Sequence, residues 1–275
     1  MHPLVQTASF PPIGKLFYIN KKETRAIIEE IWRNKIFDGD DGLELPPDAV
    51  VVDAGAHVGL FSLYIQSLRA ERKPIIYAFE PMPAQFDALQ ANVKAHAAAS
   101  QVRLFNFGLS DGERQARLYF YRNVPALSSV EDRDAELHAM VERQGAMSLL
   151  RAYQPAVYLI CRLLPFLQPL ISKKIMESTV QKEAVTCRLK TLSQIIAEQK
   201  LDRIDLLKID VEKSELPILK GITESDFAKI RRIVIEVHAP EEREPITSLL
   251  EARGFRVQVK PALDQYQILY ASKPM

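Results

Sequence analysis

The stretch VVDAGAHVGLFSLY, residues 51–64, limits the folds open to this chain more than any other segment. Three consecutive valines from Val50, stiff at χ1 and suited to a pleated surface, end on Asp53. Gly55 and Gly59 follow four positions apart, and an apolar helical run begins at once. Gly55 permits a tight turn with close backbone approach, and Gly59 lets the helix start against the strand. The stretch reads as strand, turn and helix, the unit from which parallel sheets are built.

The same alternation continues toward the end of the chain. It predicts strands at 50–53, 75–80, 102–107, 205–210 and 231–237, with helices at about 59–70, 83–99, 191–199, 214–221 and 241–253. In GFRVQVKPALDQYQILYAS, two runs at 255–260 and 265–271 are close enough to pair as an antiparallel hairpin. RQARLYFY (114–121) and EAVTCRLK (183–190) read as accessory strands. Residues 131–178 read as a helical insertion, because an unstructured loop of that length is uncommon. Before the core, 50–275, lies a segment 1–49: a proline-containing arm, expected to be extended, and a helix over 21–36 with Ile27, Ile28, Ile31 and Trp32 at helical spacing.

Composition removes several function classes. With 36 Lys and Arg against 35 Asp and Glu, no global field draws in phosphate backbones, and nucleic acid is not expected as the main partner. Two cysteines, Cys161 and Cys187, form neither a disulfide framework nor a metal-ligand spacing, which suits a reducing cytoplasm. The opening MHPLVQTASFPPIGK lacks a basic start followed by an apolar stretch, so no signal peptide is expected. The most apolar region, 147–171, is broken by Arg151, Arg162, Pro155, Pro165 and Pro169, so no uncharged span reaches the roughly 18 residues of a membrane-crossing helix.

In an open parallel sheet, ligands bind beyond the carboxyl ends of the strands. Asp53 would reach that edge, and the D-x-G-x-x-x-G spacing after it differs from the G-x-G-x-x-G of dinucleotide sites. Glu80 ends the next strand, in IIYAFEP, where a carboxylate can accept from both hydroxyls of a ribose. Further along, strand alternation puts Lys208 and Asp210 on one face, and Glu236 and His238 on one face. Charges inside apolar strands are costly unless paired or used.

These segments resemble the FkbM family of S-adenosylmethionine-dependent methyltransferases. The resemblance is carried by VVDAGAHVGLFSLY, YAFEPMPAQFDALQANV, FNFGLSDGE, LKTLSQIIAEQKLDRIDLLKIDVEKSELPILKGI and IVIEVH. It implies a class I methyltransferase fold, Rossmann-like, with a mainly parallel seven-stranded sheet and a C-terminal antiparallel hairpin. It also implies O-methylation in secondary metabolism or glycan modification. Carried over by position, Asp53, Gly55 and Gly59 shape the cofactor loop and Glu80 holds the ribose. Two positions depart from the pattern: His57 stands where the family commonly has Asn, and Lys213 where it has Gly. An imidazole at 57 can still hydrogen-bond near the cofactor carboxylate, whereas a long side chain at 213 changes which acceptor fits. Asp111 stands where methyltransferases often contact adenine, although an Asp-Gly turn explains it equally well.

The expected chemistry is methylation of a hydroxyl on a polyketide, peptide or glycan-type intermediate, free or carrier-tethered. An alcohol must lose its proton, with a free pKa of roughly 15.7, so a base or a metal has to act. Asp210 reads as general base, metal ligand or structural acid. Glu236 and His238 form the other cluster, and with Asp210 they offer a Mg²⁺ site; His238 reads equally as a base or as a structural histidine. Lys208 is expected to pair with one of these acids, and Glu212 and Glu215 to cap or solvate the next helix. The alternatives are carboxylate methylation and a non-catalytic binding module. The insertion at 131–178 reads as a lid, a docking lobe for a carrier or a second copy of the chain, or an ordinary helical hairpin.

Overall fold

A computed structural model of the chain describes residues 1–39, 42–68, 74–96, 101–121, 159, 162–163, 182–261 and 266–273. The chain divides into two compact units, Met1–Ala116 with Thr186–Met275, and Arg117–Val185.

The larger unit opens with strands Gln6–Phe10 (β1) and Gly14–Tyr18 (β2). Helix Lys21–Ile28 (α1) follows and runs on through a π-helical turn, Glu29–Arg33. Then come Val50–Ala54 (β3), Leu60–Ser67 (α2), Ile75–Phe79 (β4), Pro83–His96 (α3), Val102–Phe105 (β5) and Gly108–Leu109 (β6). Strands Arg114–Tyr121 (β7) and Lys182–Lys190 (β8) lead out of this unit and back into it. The remaining elements are Leu192–Gln199 (α4), Leu206–Ile209 (β9), Glu215–Lys220 (α5), Glu224–Phe227 (α6), Arg232–Val237 (β10), Arg243–Ala252 (α7), Arg256–Pro261 (β11) and Gln267–Ser272 (β12).

The seven-stranded sheet has the order β11-β12-β10-β9-β3-β4-β5. Strands β10, β9, β3, β4 and β5 run parallel, and β12 is antiparallel to both β10 and β11. The expected parallel sheet with its terminal hairpin is thus present. From β3 the chain builds outward through β4 and β5, then returns to lay β9 on the other side of β3. That reversal opens a crevice at the carboxyl ends of β3 and β9.

Alternation along each strand divides the core in two. Val51, Ile76, Leu206 and Val234 face one way and pack with α1, α2 and α3 residues such as Ile28, Leu60, Phe61 and Leu89. Val52, Tyr77, Leu207 and Ile233 face the other way and pack with Leu192, Ile195, Ile218 and Ile246. Both faces of the central strands are covered, which is why they read as nearly continuous apolar runs.

The N-terminal segment departs from the extended arm expected of it. Residues 6–18 form an antiparallel hairpin turning at Pro11 and Pro12, and alternation buries Phe10, Leu16 and Tyr18. Asn92 on α3 fastens it, accepting from the backbone N–H of Phe17 and donating to the Phe17 and Val58 carbonyls, each at 2.8 Å. Prolines marked the turn, and the apolar residues beside it were the signal of a strand pair. In the smaller unit, Leu118 is buried and Lys182 Nζ lies 4.9 Å from the Tyr119 ring centre. The expected insertion at 131–178 lies outside the described residues except for Leu159, Arg162 and Leu163, which are helical and exposed. Among the described residues no helix is long and apolar enough to cross a membrane.

At the amino edge of the sheet, Asp205 ties β9 to β3. Its carboxylate, 1% exposed, accepts from Val50 N at 2.9 Å, Arg203 Nε at 3.0 Å and Arg231 Nη1 at 3.0 Å. Asp205→Ala leaves a buried backbone donor unpaired, and is expected to lower stability by about 2–3 kcal/mol in urea unfolding.

Candidate active site

The turn after β3 is built around two glycines in left-handed backbone, the first of them closed in by neighbouring backbone. Gly55 has φ 79°, and a Cβ there would sit 1.8 Å from the Asp210 carbonyl oxygen. Gly59 has φ 90°, and its Cβ would lie 2.6 Å from Leu89 Cδ1. The backbone N–H groups of Gly55 and Ala56 both donate to the Phe79 carbonyl, at 3.1 and 2.9 Å, so the turn closes on the end of β4. Asp53, fully buried, accepts from Ser62 Oγ at 2.7 Å and fixes the first turn of α2.

Glu80 stands one residue past β4. Its two oxygens accept from the backbone N–H groups of His57 and Met82, at 2.8 and 2.9 Å. Burial pushes its pKa up to about 7 against those two hydrogen bonds. Each oxygen keeps a further lone pair for a ligand hydroxyl. His57 sits in the turn with φ 50°, and neither ring nitrogen has a hydrogen-bond partner. Burial pushes the imidazole down to about 4, so the ring is neutral.

Lys208, on β9, joins the turn to the acid that follows the strand. Its Nζ lies 2.8 Å from the Gly55 carbonyl, 3.1 Å from Asp210 Oδ2 and 3.3 Å from Asp53 Oδ1. The Phe37 and Phe61 rings flank it at 5.7 and 5.8 Å. Burial works against the charge, but Asp210 and Asp53 outweigh it and raise the pKa. The expected ion pair is present, shared between two acids rather than one.

Beyond Lys208, carboxylates surround His238. Nδ1 lies 2.7 Å from Glu215 Oε1, while Nε2 lies 3.4 Å from Glu212, 3.8 Å from Asp210 and 3.8 Å from Glu236. Burial would lower the imidazole pKa, yet Glu212, Glu215 and Asp210 together raise it to about 10. Asp210 is held below the usual carboxylate range, because Lys208 and His238 overcome its desolvation. Glu236 moves the other way: burial, then the charge of Asp210, raises it to about 8. Glu30, from the π-helical turn after α1, adds to that rise, so α1 and its extension reach from the glycine turn to the acid cluster.

The structure brings together Asp210, Glu236 and His238, whose donor atoms all lie within 4.8 Å of one another. Asp53, Gly55, His57, Gly59 and Glu80 meet at the neighbouring turn. Asp111 occupies the Asp-Gly turn after β6, half exposed, with Arg114 Nη1 at 2.6 Å holding it below the usual range. Glu215 differs from the capping or solvating role expected of it. It is fully buried and bonds both the His238 ring and the Lys213 N–H, the latter at 3.1 Å. The signal missed was its spacing: five residues after Asp210, on the first turn of a helix that packs under β10. Glu212 and Lys213 reach this arrangement with φ of 52° and 67°, a left-handed pair without glycine.

A doubly covered sheet of this order, a glycine turn after its first parallel strand and a buried acid after the next define the class I methyltransferase fold. The sequence profile described as the Methyltransferase FkbM domain matches residues 53–257. AMB antimetabolite synthetase AmbE of Pseudomonas aeruginosa is 35% identical over 274 residues, covering 93% of this chain but only 12% of that protein. The 31-O-demethyl-FK506 methyltransferase FkbM of Streptomyces tacrolimicus is 30% identical over 259 residues, covering 94% of this chain and 91% of its own. Methyltransferase sdnD of Sordaria araneosa is 31% identical over 271 residues, with 94% and 93% covered. The crystal structure of Methyltransferase FkbM from Methylobacillus flagellatus KT shares the fold at a TM-score of 0.50 and 14% identity, covering 84% of this chain and 45% of that one. The chain belongs to the FkbM methyltransferase family.

Lys208→Met removes the cation while leaving two buried acids in place. The expected cost is about 3–5 kcal/mol in denaturant unfolding near neutral pH. The deficit should shrink on acidification: Asp210, depressed in the folded state, contributes its stability above the ordinary carboxylate pKa and loses it as the pH falls.

Proposed function

We propose that the chain is an S-adenosylmethionine-dependent O-methyltransferase that methylates a hydroxyl of a natural-product intermediate. The observation that carries this reading is one continuous edge in which the Glu80 turn adjoins the acid cluster of Asp210, Glu236 and His238. The names of two relatives, 31-O-demethyl-FK506 methyltransferase and AMB antimetabolite synthetase, support a natural-product acceptor.

The residues fit the cofactor. Glu80 offers two carboxylate oxygens to the ribose hydroxyls, and Gly55, whose missing Cβ lets the Asp210 backbone close against the turn, keeps that turn tight beside it. When bound, S-adenosylmethionine supplies a sulfonium-activated methyl group. The protein's share is to align the acceptor oxygen, exclude water and take a proton. Glu236 takes that proton in its ionised form, which is a stronger base than an ordinary carboxylate and whose population grows as the pH rises through its pKa of about 8. Asp210 remains ionised beside Lys208 and orients the hydroxyl. His238, braced by Glu215, holds the surrounding carboxylates in register.

A second reading is favoured by the donor set of Asp210, Glu236 and His238: a Mg²⁺ ion bound there would lower the hydroxyl pKa in place of a base. Labelled-methyl transfer to a panel of hydroxylated acceptors, with and without chelator, separates the two. Loss with chelator and recovery with Mg²⁺ would support the ion, and a product released by mild base would mean an ester instead of an ether.

The direct test is calorimetric titration of S-adenosylmethionine and S-adenosylhomocysteine, with NAD as control. Both adenosyl ligands are expected to bind and NAD is not; Glu80→Ala should abolish binding. Because Glu80 is protonated below its pKa of about 7 and ionised above it, S-adenosylhomocysteine affinity should rise over roughly pH 6 to 8. Glu80→Gln should flatten that rise.

A further inference from the structure

We propose that the cleft between the N-terminal hairpin and α1 is a second binding site, one that takes a small amphipathic carboxylate, its apolar body laid on the cleft floor and its carboxylate held by Arg25. None of the residues that line the cleft belongs to the glycine turn or the acid cluster, and all lie outside the segment, 53–257, that the family profile matches. The site therefore stands apart from the methyl-transfer reading.

The cleft encloses about 540 Å³, within the range of small-molecule sites. Its floor is Phe10 and Ile28, 2% and 8% exposed. Pro11 and Pro12, at the hairpin turn, form one wall, and Trp32 forms the other. The prolines bring no backbone N–H, so their wall offers a ligand apolar rings and no main-chain donor. Trp32 is itself held edge-on to Tyr64, with 5.3 Å between ring centres, and presents a fixed aromatic surface.

The helix changes form where it meets the cleft. Over Glu29–Arg33 it is π-helical, and the Asn34 N–H donates to the Glu29 carbonyl, five residues back, at 2.9 Å. Such turns are rare and concentrate at functional sites. Glu29, Trp32 and Arg33 of this turn line the cleft, while Glu30 between them turns its charge the other way, toward Glu236. One helix thus walls the cleft on one side and faces the acid cluster on the other.

Charge at the rim selects the ligand's head group. Arg33 Nη1 is paired with Glu29 Oε1 at 2.9 Å, whereas Arg25 forms no ion pair among the described residues. One unmatched guanidinium therefore stands beside an apolar floor, and its planar fork presents two parallel N–H donors to a carboxylate. A cationic head group would meet that guanidinium with like charge.

The chain has one tryptophan, Trp32, so its emission reports on the cleft directly. Octanoate and octylamine, which share a chain and differ in the sign of the head group, are titrated into the full chain, Arg25→Gln and Ser9→Phe. Ser9 is exposed on the cleft rim, and a phenyl ring there occupies the space without entering the core. The expected result is a saturable change in Trp32 emission, with octanoate bound about fivefold more tightly than octylamine, the size of an exposed ion pair. Arg25→Gln should bring the two ligands within about twofold of each other, and Ser9→Phe should remove the octanoate response. No saturable change with octanoate, an equal response to both ligands in the wild type, or an unaltered octanoate titration in Ser9→Phe would overturn the site. Arg25 is exposed, so Arg25→Gln keeps the fold and carries the test even if a ring at position 9 unsettles the hairpin.

Discussion

The ammonium of Lys208 sits where three segments of chain converge: the glycine turn through the Gly55 carbonyl, β3 through Asp53, and the end of β9 through Asp210. Without that cation, two carboxylates would share a space walled by Phe37 and Phe61, and one would have to take up a proton. With it, Asp210 stays ionised, and its charge in turn raises Glu236 and helps keep His238 protonated. The electrostatic state of the Asp210, Glu236 and His238 cluster therefore originates one layer behind it, in a residue that faces the glycine turn.

The close fit of Gly55 against the Asp210 carbonyl has a related effect. It brings the ends of β3 and β9 together on either side of the topological reversal, so the glycine turn packs directly against the backbone that carries Asp210. A displacement of one is a displacement of the other. The left-handed backbone of Glu212 and Lys213 belongs to the same economy of space: it curls the chain after β9 sharply enough for Glu212 and Glu215 to reach opposite nitrogens of one imidazole.

The parallel sheet, its hairpin and the glycine turn were legible in the sequence because each rests on local pattern: valine and isoleucine runs, paired glycines, an acid closing a strand. Glu80 and the trio of Asp210, Glu236 and His238 were legible for the same reason, since strand alternation makes their placement a local matter. What was not legible depends on contacts distant in sequence. Glu215 looks like an ordinary acid at a helix start, and only the approach of β10 turns it into the partner of His238. The N-terminal hairpin was hidden because its prolines were read as extension, while the Asn92 side chain that anchors it lies 75 residues away.

Strand β9 is only four residues long, about 13 Å at the usual rise, yet different work is done at its two ends. Before it, Asp205 gathers Val50, Arg203 and Arg231 into a latch. At its far end, Lys208 and Asp210 set the charge around the acid cluster. Durability and chemistry are thus assigned to opposite rims of one sheet. A lineage, or an engineer, can rework the rim that carries the acid cluster while the opposite rim goes on holding the sheet closed.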